Sequence, residues 1–496
     1  MYKNPYFKRK KPPEDDVKFY NYSIGFLESS SFAIYESLIT KRKSSFMYCL
    51  FKLLLNYCES MFLKLHMDKK NRKDVLFFPF SGNHYAEFKP LFKNINDIKY
   101  GLVLNKTKSE NFIYKIIFKK RLSLYKYKDE LQKNKQVMSL YSYTSFKIIC
   151  RSFFIFISTY LKLFSQKQKI YNYLKYNLDN SSYDNKKIKS IINYIVCEFS
   201  YNLALVPFIE KCMEDNDSKV IVVSNEFNYY GRLLIEVAKG KNIKTVNIPH
   251  SMITSVPCYW ISNSDKLVLQ GNHDRNYLLD KGYIRSEQLV VTGRSTIDEK
   301  LLKTYSKDEI KKHFSIPSHK KVICLATQPF NDHVRKDFVL DVFSALEENA
   351  NETFIIIKLH PNEDIDYYNS LLKEDKLEKL NYLIIRDYDL YAILSISDIL
   401  ITISSNVAAE ALFKKVPAIS YNKCNFSGQT YVTNGYVKES KNTISLKNDI
   451  NQLLYNSVER TKNLKLAEEY TQHMNYKLDG KASERIISVI KSLMYK

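Results

Sequence analysis

The feature that most constrains this chain is a pair of series of short, continuously apolar runs, each run separated from the next by enough residues for a helix. The first series contains Asp74–Phe80 (DVLFFPF), Tyr100–Leu104, Lys219–Ser224 (KVIVVS), Lys244–Ile248 (KTVNI), Lys266–Gln270 (KLVLQ) and Gln288–Gly293 (QLVVTG). The second contains Lys321–Ala326 (KVICLA), Phe354–Leu359 (FIIIKL), Tyr382–Arg386, Ile399–Ile403 and Val416–Tyr421. Apolar runs of this length suit strands covered on both faces, and helical stretches such as Gly231–Lys239 and Phe338–Glu348 supply the coverings. A strand, a helix and a strand in succession give parallel pairing. The expectation is therefore an α/β chain with two doubly wound parallel sheets, facing each other across a cleft, with ligands bound beyond the carboxyl ends of the strands.

At 496 residues the chain is too long for one ordinary core. The break between the two series lies between about Ser295 and Ser318, which divides the chain into residues 1–300 and 301–463. Residues 464–496 read as helices that pack back on the first domain. Between about 106 and 205 the strand signals stop and a Lys- and Tyr-rich helical pattern takes over, read as a helical insertion in the N-terminal domain. Neither a G-x-G-x-x-G turn nor a G-x-x-x-x-G-K loop is present, which argues against nicotinamide and P-loop chemistry.

The net charge of +23, from 76 Lys and Arg against 53 Asp and Glu, favours an anionic partner. A nucleic acid is set aside because no recognised nucleic-acid module or basic-aromatic motif accompanies the charge. Two long apolar stretches, Phe46–Leu65 and Phe146–Phe164, are interrupted by Lys52, Glu59 and Lys64 and by Arg151 and Lys162. They read as core helices or as helices lying on an anionic membrane surface rather than as spans. Eight cysteines without metal-like spacing, and an N-terminus without an apolar stretch behind its charges, set the expected location as the cytoplasm or the inner face of the cytoplasmic membrane.

Chemistry-bearing residues cluster where strands end. Phe354–Asp364 (FIIIKLHPNED) delivers Lys358, His360 and Pro361 to the carboxyl end of a strand. The imidazole could donate to a phosphate oxygen, or simply cap the strand. Asp398–Leu412 (DILITISSNVAAEAL) places Ser404, Ser405 and Asn406 before a helix, with Glu410 in its first turns. Such a helix start can hold a phosphate, although Ser and Asn are also ordinary caps. Gln328 follows the KVICLA strand in the same way, and Gly293-Arg294 follows QLVVTG, where Arg294 could meet phosphate. In the first domain His84, Glu226 and His250 all follow strands and are the candidate catalytic bases. The acidic pairs Asp215/Asp217, Asp364/Asp366 and Asp387/Asp389 read as caps, and no metal is assigned to them.

The order of a strand ending in His360-Pro361, followed by SDILITISSNVAAEALFKKVPAIS, resembles the donor domain of GT-B glycosyltransferases and of UDP-N-acetylglucosamine 2-epimerase. Within that group the HP and SS pairs resemble bacterial sialyltransferases, polysialyltransferases and capsule Kdo transferases. IKTVNIPHS resembles the strand end of surface-polysaccharide transferases, with His250-Ser251 in place of an H-G pair. Gly293-Arg294-Ser295 stands where that fold commonly has a proline. The resemblance implies a GT-B enzyme of bacterial surface-glycan assembly that needs no cofactor beyond a nucleotide-sugar co-substrate. It implies transfer of a CMP-activated nonulosonic acid or Kdo to a glycan or lipid-linked acceptor. A UDP-sugar transferase, an epimerase-like enzyme and a CDP-glycerol-type phosphotransferase remain the alternatives. In the implied roles His360, Pro361, Ser404, Ser405, Asn406, Glu410, Gln328, Lys358, Gly293 and Arg294 bind the donor.

Overall fold

A computed structural model describes residues 18–19, 22–23, 45–63, 72–105, 127–177, 185–226, 228–250, 253, 262–374, 380–425 and 430–495. Two compact units emerge, one of residues 1–296 with 481–496 and the other of residues 297–480.

The first unit is built on seven parallel strands: β1 (Val75–Phe78), β2 (Tyr100–Leu104), β3 (Val137–Ser139), β4 (Val220–Val223), β5 (Lys244–Asn247), β6 (Lys266–Leu269) and β7 (Leu289–Val291). Their order across the sheet is β3-β2-β1-β4-β5-β6-β7, so the chain winds outward in one direction from β1 and then in the other from β4. The carboxyl ends of β1 and β4 are the switch point. One face of the sheet carries α1 (Phe46–Leu63), α3 (Phe146–Ser165), α4 (Lys167–Asn177), α5 (Asn185–Leu203), α6 (Val206–Asn216) and α7 (Tyr229–Gly240), whose buried side chains share a core with Leu76, Phe78, Ile221 and Val223. The short helix α2 (Gly82–Phe88) follows β1 and packs Tyr85 and Phe88 on the other face, against Val75, Phe77, Val220 and Val222. Gly231, at the start of α7, is required by close approach: a Cβ there would lie 1.8 Å from the carbonyl oxygen of Asn225.

The stretch expected to be a helical insertion also contributes a strand. β3 pairs parallel with β2 and forms the sheet edge. It is three residues long and its side chains are only half-buried, so no apolar run marked it. Residues 106–126 and 178–184 of that stretch lie outside the described residues.

The second unit has six parallel strands, β8 (Lys321–Ala326), β9 (Thr353–Lys358), β10 (Tyr382–Ile385), β11 (Ile399–Thr402), β12 (Ala418–Tyr421) and β13 (Lys438–Ser440), in the order β10-β9-β8-β11-β12-β13. The winding reverses between β8 and β11. α8 (Asp332–Leu346), α9 (Val407–Phe413), α10 (Thr443–Tyr455) and α11 (Ser457–Met474) belong to this unit, and Phe338, Val342, Leu446 and Ile450 bury against Ile323, Leu325, Ile399 and Ile401. The polar strand β13 had no apolar run to announce it.

The return of the chain to the first unit is narrower than a break at residue 464 suggests. α11 stays with the second unit, where Tyr470 stacks on Phe413 and Arg460 donates to the Asp398 carbonyl. Only the last helix, α12 (Ala482–Met494), joins the first, burying Ile486 and Ile490 beside Val75 and Phe77 and donating from Arg485 Nε to the Thr292 carbonyl at 2.6 Å. The amphipathic spacing Ile486, Ile487, Ile490, Leu493 covers the sheet face that the larger helical layer leaves open.

Candidate functional site

The second unit aligns its chemistry by register. Ala326 of β8 pairs with Lys358 of β9 on one side and with Thr402 of β11 on the other. Two residues beyond each member of that row come Gln328, His360 and Ser404. Three strands thus raise an amide, an imidazole and a hydroxyl beyond one edge of the sheet, with the β8–β11 reversal at the centre, where doubly wound sheets bind ligands. Gln328 already bridges the reversal, because its Oε1 accepts the Ser404 backbone N–H at 2.8 Å. All three side chains are half-buried, so they are supported from below and reachable from outside.

His360 has a defined tautomer. Its Nδ1 accepts the backbone N–H of Asn362 at 3.2 Å, which assigns the ring proton to Nε2. Burial lowers its pKa, Lys358 adds to the lowering and Glu363 opposes it. The ring is therefore a neutral Nε2–H donor near pH 7. Beneath it lies Glu363, which the sequence reading did not single out. Its carboxylate is buried and accepts from the His360 backbone N–H at 3.0 Å and from the hydroxyls of Thr327 and Tyr368, with Arg335 at 3.9 Å. Glu363 ties the end of β8 to the loop after β9. The signal available in the sequence was an acid three residues after a strand-end histidine, in HPNE.

Ser405 caps the following turn through its Oγ, which accepts the Val407 N–H at 3.3 Å, and its carbonyl accepts from Tyr431 at 2.9 Å. Asn406 is exposed and makes no side-chain cap bond, and Glu410 is half-buried in the first turn of α9. α9 has only seven residues, so the donors at this point are the hydroxyls and amides of the turn itself rather than a long helix.

Four other expected site residues, Lys358, Pro361, Gly293 and Arg294, do not join this row of donors. Lys358 donates to the carbonyls of Arg386 at 2.6 Å and Leu359 at 3.2 Å, and burial lowers its pKa, so it ties the ends of β9 and β10 together. Pro361 is exposed in the turn and shapes it. Gly293-Arg294 belongs to the first unit. There Gly293 takes φ +82°, a left-handed conformation that favours glycine. The turn delivers Arg294 to Glu87, with Nε at 3.1 Å and Nη2 at 2.9 Å from one carboxylate oxygen, and to the carbonyl of His250. Thr296 adds a hydroxyl to the same carboxylate at 3.2 Å. Glu87 is fully buried, and the sequence reading missed it. The adjoining cavity, of about 20 Å³ and lined by Glu87, Arg294, Asp274, Gln270 and Pro249 among others, has room for a water and not for a nucleotide.

At the switch point of the first unit two of the three candidate bases meet. Ser81 caps α2 by accepting the His84 N–H, and the His84 ring lies 4.5 Å from that of His250 and 3.9 Å from that of Phe80. Burial, then repulsion from His250, holds the His84 pKa well below the usual histidine range. His84 Nδ1 is buried and has no hydrogen-bond partner among the described residues. His250 is less enclosed, and burial lowers its pKa too. Its Nδ1 lies 3.4 Å from the Ser224 carbonyl, an acceptor, so the proton sits on Nδ1 and Nε2 keeps a lone pair.

Glu226 is not available as a base. Its carboxylate is fully buried, accepts from Ser262, Asn247 and the Asn263 backbone N–H, and faces Arg232 at 3.7 Å. It holds the loop before β6 to the end of β4. Ser251, beside His250, lies outside the described residues. Of the acidic pairs, Asp389 caps a helix through Tyr391 N–H, Asp364 accepts the Asp366 N–H, and Asp215 pairs with Lys211.

The family model for CDP-glycerol:poly(glycerophosphate) glycerophosphotransferase matches residues 258–492, just under half of the chain and including the whole second unit. No curated protein sequence matches the chain. Among solved structures, UDP-GlcNAc 2-epimerase from Neisseria meningitidis bound to UDP-GlcNAc superposes with a TM-score of 0.52 at 15% identity, covering 84% of this chain and 99% of that one. A glycosyltransferase from Rickettsia africae ESF-5 superposes with a TM-score of 0.50 at 12% identity, covering 86% and 99%. The fold is GT-B. At such identities these neighbours speak to the fold alone.

Proposed function

We propose that this protein is a transferase that uses a CDP-linked polyol phosphate as donor and adds the polyol phosphate to a hydroxyl of a surface-glycan or polymer acceptor. The observation that carries the reading is the row Gln328, His360, Ser404 at the winding reversal of a unit that the glycerophosphotransferase family model covers from end to end.

The donor diphosphate would accept from His360 Nε2–H and from the Ser404 and Ser405 hydroxyls. In the reaction the acceptor oxygen forms a bond to the β-phosphorus of the donor. The bond from that phosphorus to the bridging oxygen breaks, and CMP leaves with the bridging oxygen. Donors fixed on the diphosphate stabilise the negative charge that builds on the leaving CMP. The acceptor hydroxyl gives up its proton to a general base. A CMP-activated nonulosonic acid or Kdo would leave the same CMP from a different bond, carbon to oxygen. The two donors therefore share binding groups and differ in the product.

The test is calorimetric titration of the wild type and of the His360→Ala, Ser404→Ala double variant with CDP, CDP-glycerol, CMP and UDP. Selective binding of CDP and CDP-glycerol, lost in the variant, supports the proposal. Selective UDP binding, or cytidine-nucleotide binding that survives both substitutions, overturns it.

A further inference from the structure

We infer that the outer face of α1 and α3 is a docking surface for an anionic lipid bilayer. α3 buries Ser152, Ile155, Phe156, Thr159 and Leu163 in the core of the first unit. A surface helix ordinarily turns charge to the opposite side. α3 instead exposes Phe146 by 82%, Phe153 by 41%, Phe154 by 63%, Leu161 by 60% and Phe164 by 51%. At 3.6 residues per turn these five side chains fall within an arc of roughly 100°. Lys147, Arg151 and Lys162 follow along one edge of that arc, all exposed.

α1 extends the same face. It exposes Met47, Phe51 and Leu54 at helical spacing, and it runs antiparallel to α3: its first residue, Phe46, stacks on Phe156 at 5.4 Å, while Tyr57, further along, donates to Ser152 at 2.7 Å. The two exposed stripes lie side by side on the outer side of this pair.

The charge around the face chooses its occupant. Residues 146–177 contain six Lys or Arg and no Asp or Glu. Of these, Arg151 pairs with Glu210 of α6 at 2.6 Å, and Lys167 donates to Asn193 and lies over the Phe164 ring. A second copy of this chain would oppose like charge to like charge across a symmetric contact. An anionic bilayer instead receives the aromatic stripe at its acyl boundary and the cations at its phosphates. α3 has the length and hydropathy of a membrane span, yet one of its faces is committed to the core, where Ser152 bonds the Ala204 carbonyl, so it lies along the surface. The inference does not depend on which donor the second unit binds.

The experiment is sedimentation of the full-length chain with vesicles of phosphatidylcholine, alone or mixed with phosphatidylglycerol. Binding to the mixed vesicles is expected to weaken about tenfold in the variant Phe154→Ser, Leu161→Ser, Phe164→Ser. CDP binding is a separate readout, expected to stay as in the wild type. A second variant, Lys147→Glu with Lys169→Glu, keeps the apolar face and is expected to lose the preference for phosphatidylglycerol, which keeps the test decisive if the first misfolds. Wild-type indifference to both vesicles, undiminished binding by the folded variants, or light scattering that shows a dimer abolished by the serine variant would overturn the inference.

Discussion

His250 and His360 occupy comparable places, each just past the end of a parallel strand near a winding reversal, and each with a pKa lowered by burial. Their single backbone partners differ. At His250 the partner of Nδ1 is a carbonyl, at His360 it is an N–H, and the two rings therefore present opposite faces of imidazole chemistry. His250 offers a lone pair and His360 a proton. The surroundings differ in the same sense. Around His250 and His84 the charges are already paired, Glu87 with Arg294 and Glu226 with Arg232, beneath the surface. Around His360 a single buried carboxylate, Glu363, holds the loop from below while the donor row remains half-exposed. A polar cluster that satisfies itself stabilises a fold; one that leaves donors facing outward is prepared for a ligand.

The contrast predicts unequal consequences of substitution. The largest belongs to the first unit: Glu87→Ala would leave Arg294 without its carboxylate and should destabilise that unit by about 3–5 kcal/mol, seen as an early transition in chemical denaturation. If the loss is under about 1 kcal/mol, the pair is not the anchor described here.

In the second unit, Glu363→Gln removes the charge that receives two hydroxyls and the His360 N–H. A loss of about 2–3 kcal/mol in stability is expected, together with weaker CDP binding, because the loop that aims His360 loosens. Rescue of CDP affinity by Glu363→Asp, even in part, would identify a positioning role. His360→Ala, by contrast, should leave the melting temperature nearly unchanged and weaken CDP roughly tenfold to a hundredfold, the worth of one hydrogen bond to a charged oxygen. Equal damage to stability and binding would erase the distinction between the two regions.

The smallest effect is in pH dependence. His84 is buried neutral with a depressed pKa, so below the ordinary histidine value of about 6.5 the unfolded chain takes up a proton that the folded chain refuses. Its stabilising contribution is present above pH 6.5 and fades as pH falls, by at most about 1.4 kcal/mol per pH unit. The dependence of the melting temperature on pH between about 7.5 and about 5.5 should flatten in His84→Phe. An unchanged slope would mean that His84 takes up its proton equally in the folded and the unfolded chain.

Much of the fold could be read in the sequence because a buried parallel strand must be apolar on both faces, a property written locally in KVIVVS, KVICLA and FIIIK. Strand ends were legible for the same reason, and with them His84, His250, Gln328, His360 and Ser404. The strands β3 and β13 were not, since edge strands of three residues need no such run.

The sequence by itself determined two parallel α/β sheets and the group of residues placed beyond their carboxyl ends, since alternation and strand termination are local properties of the chain. Only the tertiary structure decided what each group does. Arg294 meets Glu87 across 207 positions of sequence, Gln328 meets Ser404 across 76, and Glu226 meets Ser262 across 36. A charge that reads as a ligand donor in one dimension becomes a buried ion pair when a partner far along the chain arrives beside it. The tautomer of each histidine was likewise set by which backbone group the fold brought to its ring.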